Sequence, residues 1–137
     1  MSQKLLRVGT VYIPVRNVMD SLNWYTEKLG AAESFRDEKG KMVIINMASQ
    51  SFFLLEAPEE ESFNFKDSDG RLRFCLTFEV DGITELENLH RELLEKEVNT
   101  GPIENRGHPG RNFVFSDPDG NIFDVWSEQS QVLRNNF

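Results

Sequence analysis

Val8-Gly-Thr-Val-Tyr-Ile-Pro-Val15 alternates at the period of a strand and runs into a helical pattern from Val18 to Leu29. Phe74-Cys-Leu-Thr-Phe-Glu-Val80 does the same and runs into a pattern from Ile83 to Leu94. The second copy lies 65 positions after the first, so Thr10 falls on Cys75, Val15 on Val80, Trp24 on Leu89, Tyr25 on His90 and Leu29 on Leu94. Self-similarity at a fixed offset is evidence about the whole architecture. Each helical pattern is followed by strand signals separated by turn residues. The chain therefore reads as βαβββ followed by βαβββ, an α+β fold of two modules. Two equal modules are expected to meet along a shared surface, with a curled mixed sheet around a cleft.

Working outward, Asn17 is the expected N-cap of the first helix, with Asp20 at N3 and Gly30 at C′. Residues 32–37, 42–47 and 51–57 read as strands, turning at Lys39-Gly40 and Ser49-Gln50. Module one covers about residues 7–57. Residues 58–71 form a linker of loop chemistry, in which Phe63 and Phe65 are expected to pack back on the core, the alternative being a lid over the cleft. Module two covers about 72–128: a strand over 72–80, a helix opened by a Thr84/Glu87 capping box and running through Lys96, then strands over 98–105, 111–116 and 121–127. A polar tail occupies 129–137 and is expected to fray. The alternation places Val11, Ile13, Val15, Leu22, Leu29, Phe74, Leu76, Phe78, Leu86, Leu93, Phe123 and Val125 between helices and sheets.

At 137 residues the chain fits a single domain, or two small modules sharing a core. The single cysteine excludes an internal disulfide framework, and no apolar run reaches membrane-spanning length. A cytoplasmic location is the default expectation. A net charge of −8 argues against a nucleic-acid surface, which needs basic residues to neutralise phosphates.

Residues facing the centre of a two-module cleft come from the first and last strands of each module. These are Thr10 or Tyr12, Leu54 or Glu56, Cys75 or Thr77, and Asp124 or Trp126. Asp124 stands between Phe123 and Val125, and an acid inside a strand is costly unless it is paired, binds a cation or meets water. Tyr12, Trp126 and Phe113 supply flat apolar walls for a ligand. Cys75 reads as a buried, inert thiol. His90 reads as a helix-packing or surface residue. His108, in the loop Arg106-Gly-His-Pro-Gly110, gains interest only if that loop folds over the cleft.

Val18-x-Asp20-Ser21, Trp24-Tyr25, Thr26-Glu-Lys-Leu-Gly30 and Ser116-Asp-Pro-Asp-Gly-Asn121 together resemble the vicinal oxygen chelate superfamily over roughly residues 7–128. That superfamily includes glyoxalase I, extradiol dioxygenases, fosfomycin resistance enzymes and bleomycin resistance proteins. The resemblance implies a homodimer that acts on or binds a small molecule, either as a glyoxalase-like lyase or isomerase or as a metal-free sequestering protein. Its metal positions fall on Thr10, on Glu56 or Leu54, on Cys75 and on Asp124. Both expected histidines are missing. Only Glu56 and Asp124 remain as ligand or catalytic candidates, enough for at most a weakly bound divalent ion.

Overall fold

A computed structural model describes residues 4–130. The chain divides into two compact units, Met1–Glu61 and Ser62–Phe137. Each builds a helix on a four-stranded mixed sheet.

In the first unit β1 (Thr10–Val15) leads into α1 (Val18–Leu29), followed by β2 (Ala32–Arg36), β3 (Met42–Met47) and β4 (Gln50–Glu56). The sheet order is β1-β4-β3-β2, with β1 parallel to β4 and the other pairs antiparallel. The helix ends are those the sequence expects. Asn17 Oδ1 accepts from the Asp20 N–H at 2.9 Å, and Gly30 takes the left-handed conformation at φ 71°. Ile13, Val15, Val43, Ile45, Phe52 and Leu54 form the fully buried sheet face under Val18, Leu22 and Tyr25 of the helix. The β3–β4 turn sits at Ala48-Ser49, one residue before the expected Ser49-Gln50. Both residues have positive φ, so Met47 and Gln50 close a two-residue hairpin.

The second unit begins with a small hairpin of β5 (Phe65–Lys66) and β6 (Leu72–Arg73). Then come β7 (Thr77–Glu79), α2 (Ile83–Glu95), β8 (Asn99–Thr100), β9 (Asn112–Ser116) and β10 (Ile122–Trp126). The order β7-β10-β9-β8, with β7 parallel to β10, repeats that of the first sheet. The expected strand 72–80 is broken. Leu72–Arg73 pairs with β5, Thr77–Glu79 pairs with β10, and the chain changes partner at a bend around Cys75. Phe74, Leu76 and Phe78 are in consequence only half-buried, whereas Leu86, Leu93, Phe113, Phe115, Phe123 and Val125 form the core. The expected Thr84 cap is replaced by Gly82, whose N–H donates to the Ser127 carbonyl and fixes the helix entry through the backbone. The strand expected over 98–105 shrinks to Asn99–Thr100, with an isolated bridge from Glu104 to Asn112.

Asp117-Pro-Asp-Gly-Asn121 makes the β9–β10 turn. Asp117 Oδ1 accepts from the N–H groups of Asp119 and Asn121, each at 2.9 Å. Asn121 Oδ1 accepts from Phe63 N–H at 2.8 Å, and the Phe63 ring lies 5.8 Å from that of Phe123. Phe63 therefore packs back on the core, while Phe65 is half exposed. Among the described residues no helix is long and apolar enough to cross a membrane. Of the expected tail, residues 131–137 lie outside the described residues.

Candidate functional site

Strand alternation sorts the second sheet into two faces. Phe113, Phe115, Phe123 and Val125 turn to the helix side. Asp124 and Trp126 of β10, Asn112 of β9, and Thr77 and Glu79 of β7 take the other face. On that face Asp124 is nearly inaccessible, with 2% exposure. A carboxylate so far from water needs donors, and three supply them. Thr77 Oγ1 donates to Asp124 Oδ2 at 3.0 Å, Asn112 Nδ2 donates to the same oxygen at 2.9 Å, and Arg106 Nη2 lies 3.0 Å from Oδ1 as an ion pair.

Arg106 comes from the long loop between β8 and β9. Burial works to lower its pKa. A hydrogen bond to Glu104 at 2.8 Å and the charge of Asp124 outweigh that, so it stays above the ordinary guanidinium value and remains a cation. Its guanidinium stands 5.6 Å from the centre of the Phe74 ring, and that of Arg73 stands 5.5 Å from it.

The rest of the loop folds onto β10. Trp126 Nε1 donates to the Pro109 carbonyl at 3.0 Å, and the His108 ring meets the indole edge-on with centroids 5.7 Å apart. Gly110 closes the loop at φ 82°, where a Cβ would stand 2.6 Å from Ser127 Oγ, so no other residue fits. Between loop and sheet lies an open cavity of about 870 Å³, walled by Phe74, Thr77, Arg106, His108, Asn112 and Trp126, with Asp124 at its base.

A model of the glyoxalase/bleomycin resistance protein/dioxygenase superfamily matches residues 7–125. The chain belongs to that superfamily. Solved structures with the same fold include TnmS3, an antibiotic-binding protein from Streptomyces sp. CB03234, at 20% identity and TM-score 0.69 over 91% of this chain and 98% of that one. Another is the fosfomycin resistance protein FosX from Listeria monocytogenes, at 13% identity and TM-score 0.72 over 91% and 95%. A third is lactoylglutathione lyase from Agrobacterium tumefaciens, at 14% identity and TM-score 0.69 over 90% and 95%. Among curated proteins no sequence matches the chain.

The superfamily's chelate positions can be followed in each unit. In the second, Asp124 sits on the expected face, and its direct neighbour on β7 is Thr77. Cys75 lies beyond the end of β7. It is exposed rather than buried, its Sγ donating to the Phe63 carbonyl at 3.0 Å. In the first unit Thr10 and Tyr12 share the face away from the helix, and Tyr12 stacks on Phe53 with ring centres 4.9 Å apart. Leu54 is fully buried beneath the helix, and Glu56, on the same side, reaches Lys41 at 3.8 Å at the strand end. The register places Glu56 beside Val15, so the sheet does not bring it together with Thr10. Phe113 is fully buried against His90 and does not line this cavity, because β9 turns Asn112 rather than Phe113 towards it. His90 is a packing residue, with Nε2 2.8 Å from the Gly101 carbonyl.

A divalent ion fits this arrangement poorly. Its one buried carboxylate is already engaged by a cation and two neutral donors, and the acid and imidazole that line the same cavity have other partners, Glu79 accepting from the Ser130 N–H at 2.8 Å and His108 Nδ1 lying 2.9 Å from the Pro109 carbonyl. The described residues contain no group of three or more His, Cys, Asp or Glu side chains able to hold a metal. Sequence reasoning missed Arg106, Asn112 and the exposure of Phe74. Asn112 was within reach, since alternation from Phe113 and Phe115 puts it on the face of Asp124.

Proposed function

We propose that this member of the superfamily binds a small organic molecule in the cavity of its second unit and holds it without metal-assisted chemistry. The observation that carries the reading is the state of Asp124. Asp124 gives Oδ2 to Thr77 and Asn112, and its Oδ1 is buried against the Arg106 guanidinium without a hydrogen bond of its own, so an incoming ion would have to displace that cation at an oxygen closed to solvent. Around it the cavity offers the flat walls of Trp126 and Phe74, suited to stacking a planar molecule. TnmS3 shows that the fold serves as an antibiotic-binding protein.

A thermal-shift screen of small aromatic compounds, run with and without a chelator, tests the reading. A ligand at about a hundred times its Kd is expected to stabilise the protein by about 2.7 kcal/mol. The shift should be the same with chelator present and should vanish in Trp126→Ala. A shift that appears only with an added divalent ion would restore the metal-assisted lyase reading. A homodimer belongs to the same proposal. A light-scattering mass near the 15.8 kDa of one chain would remove it.

A further inference from the structure

The charges of the cavity are not spread evenly. Arg73 and Arg106 both stand over Phe74, and acids engage both. Asp67 lies 3.9 Å from Arg73, and Glu104 and Asp124 lie 2.8 and 3.0 Å from Arg106. Glu79 differs. It stands on β7 directly beside Trp126 of β10, and both side chains line the cavity. It is half-buried, and among the described residues its polar partner is the Ser130 N–H, which donates to Oε2 at 2.8 Å. A carboxylate has about four acceptor positions, so most of its capacity is unspent. Trp126 is in the same condition. Its Nε1–H is spent on the Pro109 carbonyl, so the indole offers only its π surface. Among the described residues no guanidinium or ammonium stands over that surface, although tryptophan is the strongest of the cation–π acceptors. His108, edge-on to the indole, turns Nδ1 to the Pro109 carbonyl. A carbonyl only accepts, so Nδ1 carries the proton, and Nε2 of the neutral ring is a further acceptor. An aromatic ring beside acids already holds cations at Phe74, and the same combination at Trp126 holds none.

We infer that the cavity takes a planar aromatic molecule carrying an ammonium group, with Glu79 pairing the cation beside the π surface of Trp126. The balance of charge favours this sign. The four acids Asp67, Glu79, Glu104 and Asp124 outnumber the two guanidiniums of Arg73 and Arg106, so an entering cation reduces the imbalance and an anion enlarges it. Of the two acids that line the cavity, Asp124 is closed to solvent against Arg106 and Glu79 is within reach of a ligand. Glu79 is thereby the residue that determines specificity for charge. This inference rests on the reading of the cavity as a small-molecule site.

The test compares three probes that share one ring system and differ in charge: 2-naphthylmethylammonium, 2-naphthylmethanol and 2-naphthoate. Binding is followed at the indole N–H resonance of Trp126 in isotope-labelled protein, which Trp24→Phe identifies. The ammonium is expected to bind at least about tenfold more tightly than the alcohol, and the naphthoate more weakly than either. Glu79→Gln keeps the shape and can still accept from the Ser130 N–H. In that variant the ammonium should lose its advantage while the alcohol binds as before. Glu79→Asp keeps the charge but draws it back from the cavity. It is the second variant should Glu79→Gln fold poorly, and it should narrow the advantage without removing it. Equal affinity of the ammonium and the alcohol, or tightest binding of the naphthoate, would overturn the inference and leave the binding reading standing. An ammonium advantage undiminished in either variant would overturn it as well, because the net charge of −8 rather than Glu79 would then supply it. If no probe moves the Trp126 resonance, the binding reading falls and the inference falls with it.

Discussion

Tyr12 and Phe53 stack ring on ring in the first unit, at 4.9 Å and 7° between planes. At the same register positions of the second unit, Thr77 and Asp124 share a hydrogen bond instead. The substitution extends along the face. Leu55 and Met42 of the first sheet correspond to Trp126 and Asn112 of the second. The helix-covered faces show no such divergence, with Phe52 and Leu54 in one unit and Phe123 and Val125 in the other, all fully buried. The fold thus fixes one side of each sheet by packing and leaves the other side open to different chemistry. Among the described residues the buried acid and the loop arginine that neutralises it both belong to the open face of the second unit.

The helix-covered faces should respond alike. Phe52→Ala and Phe123→Ala each remove a ring from a fully buried position and are expected to cost about 3–5 kcal/mol in denaturant melts. If one were tolerated and the other not, the two units would not be energetic equivalents.

The open faces should respond differently. A double-mutant cycle over Asp124→Asn and Arg106→Met is expected to give a coupling of about 1–3 kcal/mol, since the acid is buried and the guanidinium only partly exposed. The matching cycle over Tyr12→Leu and Phe53→Leu should give about 0.5–1 kcal/mol, because Tyr12 is 57% exposed and only the stacking is lost. Asp124→Asn should lower the melting temperature by itself. It discards the ion pair and turns an amide nitrogen towards one of its former donors. A coupling near zero for Asp124 and Arg106 would end the contrast between the faces.

This difference also explains what the sequence disclosed. Ile13, Val15, Phe123 and Val125 advertise their face by strict alternation beside a helical period, so the module order was legible. Asp124 was legible as an anomaly for the same reason. Its partner was not, because Arg106 lies in a loop without periodicity, and Arg73, nearer the β7 strand, instead lies 3.9 Å from Asp67. Nor does alternation say which strand a segment joins. The run 72–80 looks continuous, yet it serves two sheets and leaves Cys75 exposed at the bend.

The first unit has its own carboxylate–guanidinium pair, and it should have the smallest effect. Arg36 donates from Nε and Nη2 to the two oxygens of Glu33 at 2.6 and 2.8 Å, a bidentate geometry better than that of Arg106 with Asp124. The hydrogen bonds from Arg36 hold the Glu33 pKa below its ordinary value. A carboxylate with a depressed folded-state pKa contributes stability that is present above its unfolded pKa and is lost as pH falls through the folded one. Any contribution from Glu33 is therefore an effect at neutral pH that disappears in acid. Both side chains stand in water, on the exposed edge strand β2, where solvent and salt screen the attraction. Glu33→Gln is accordingly expected to leave the melting temperature almost unchanged at neutral pH and indistinguishable from the parent in high salt. Asp124→Asn should keep its penalty in high salt, because ions do not reach a buried carboxylate. If the exposed pair proved as costly to break as the buried one, geometry rather than burial would govern these pairs, and the polar face of the second unit would lose its special standing.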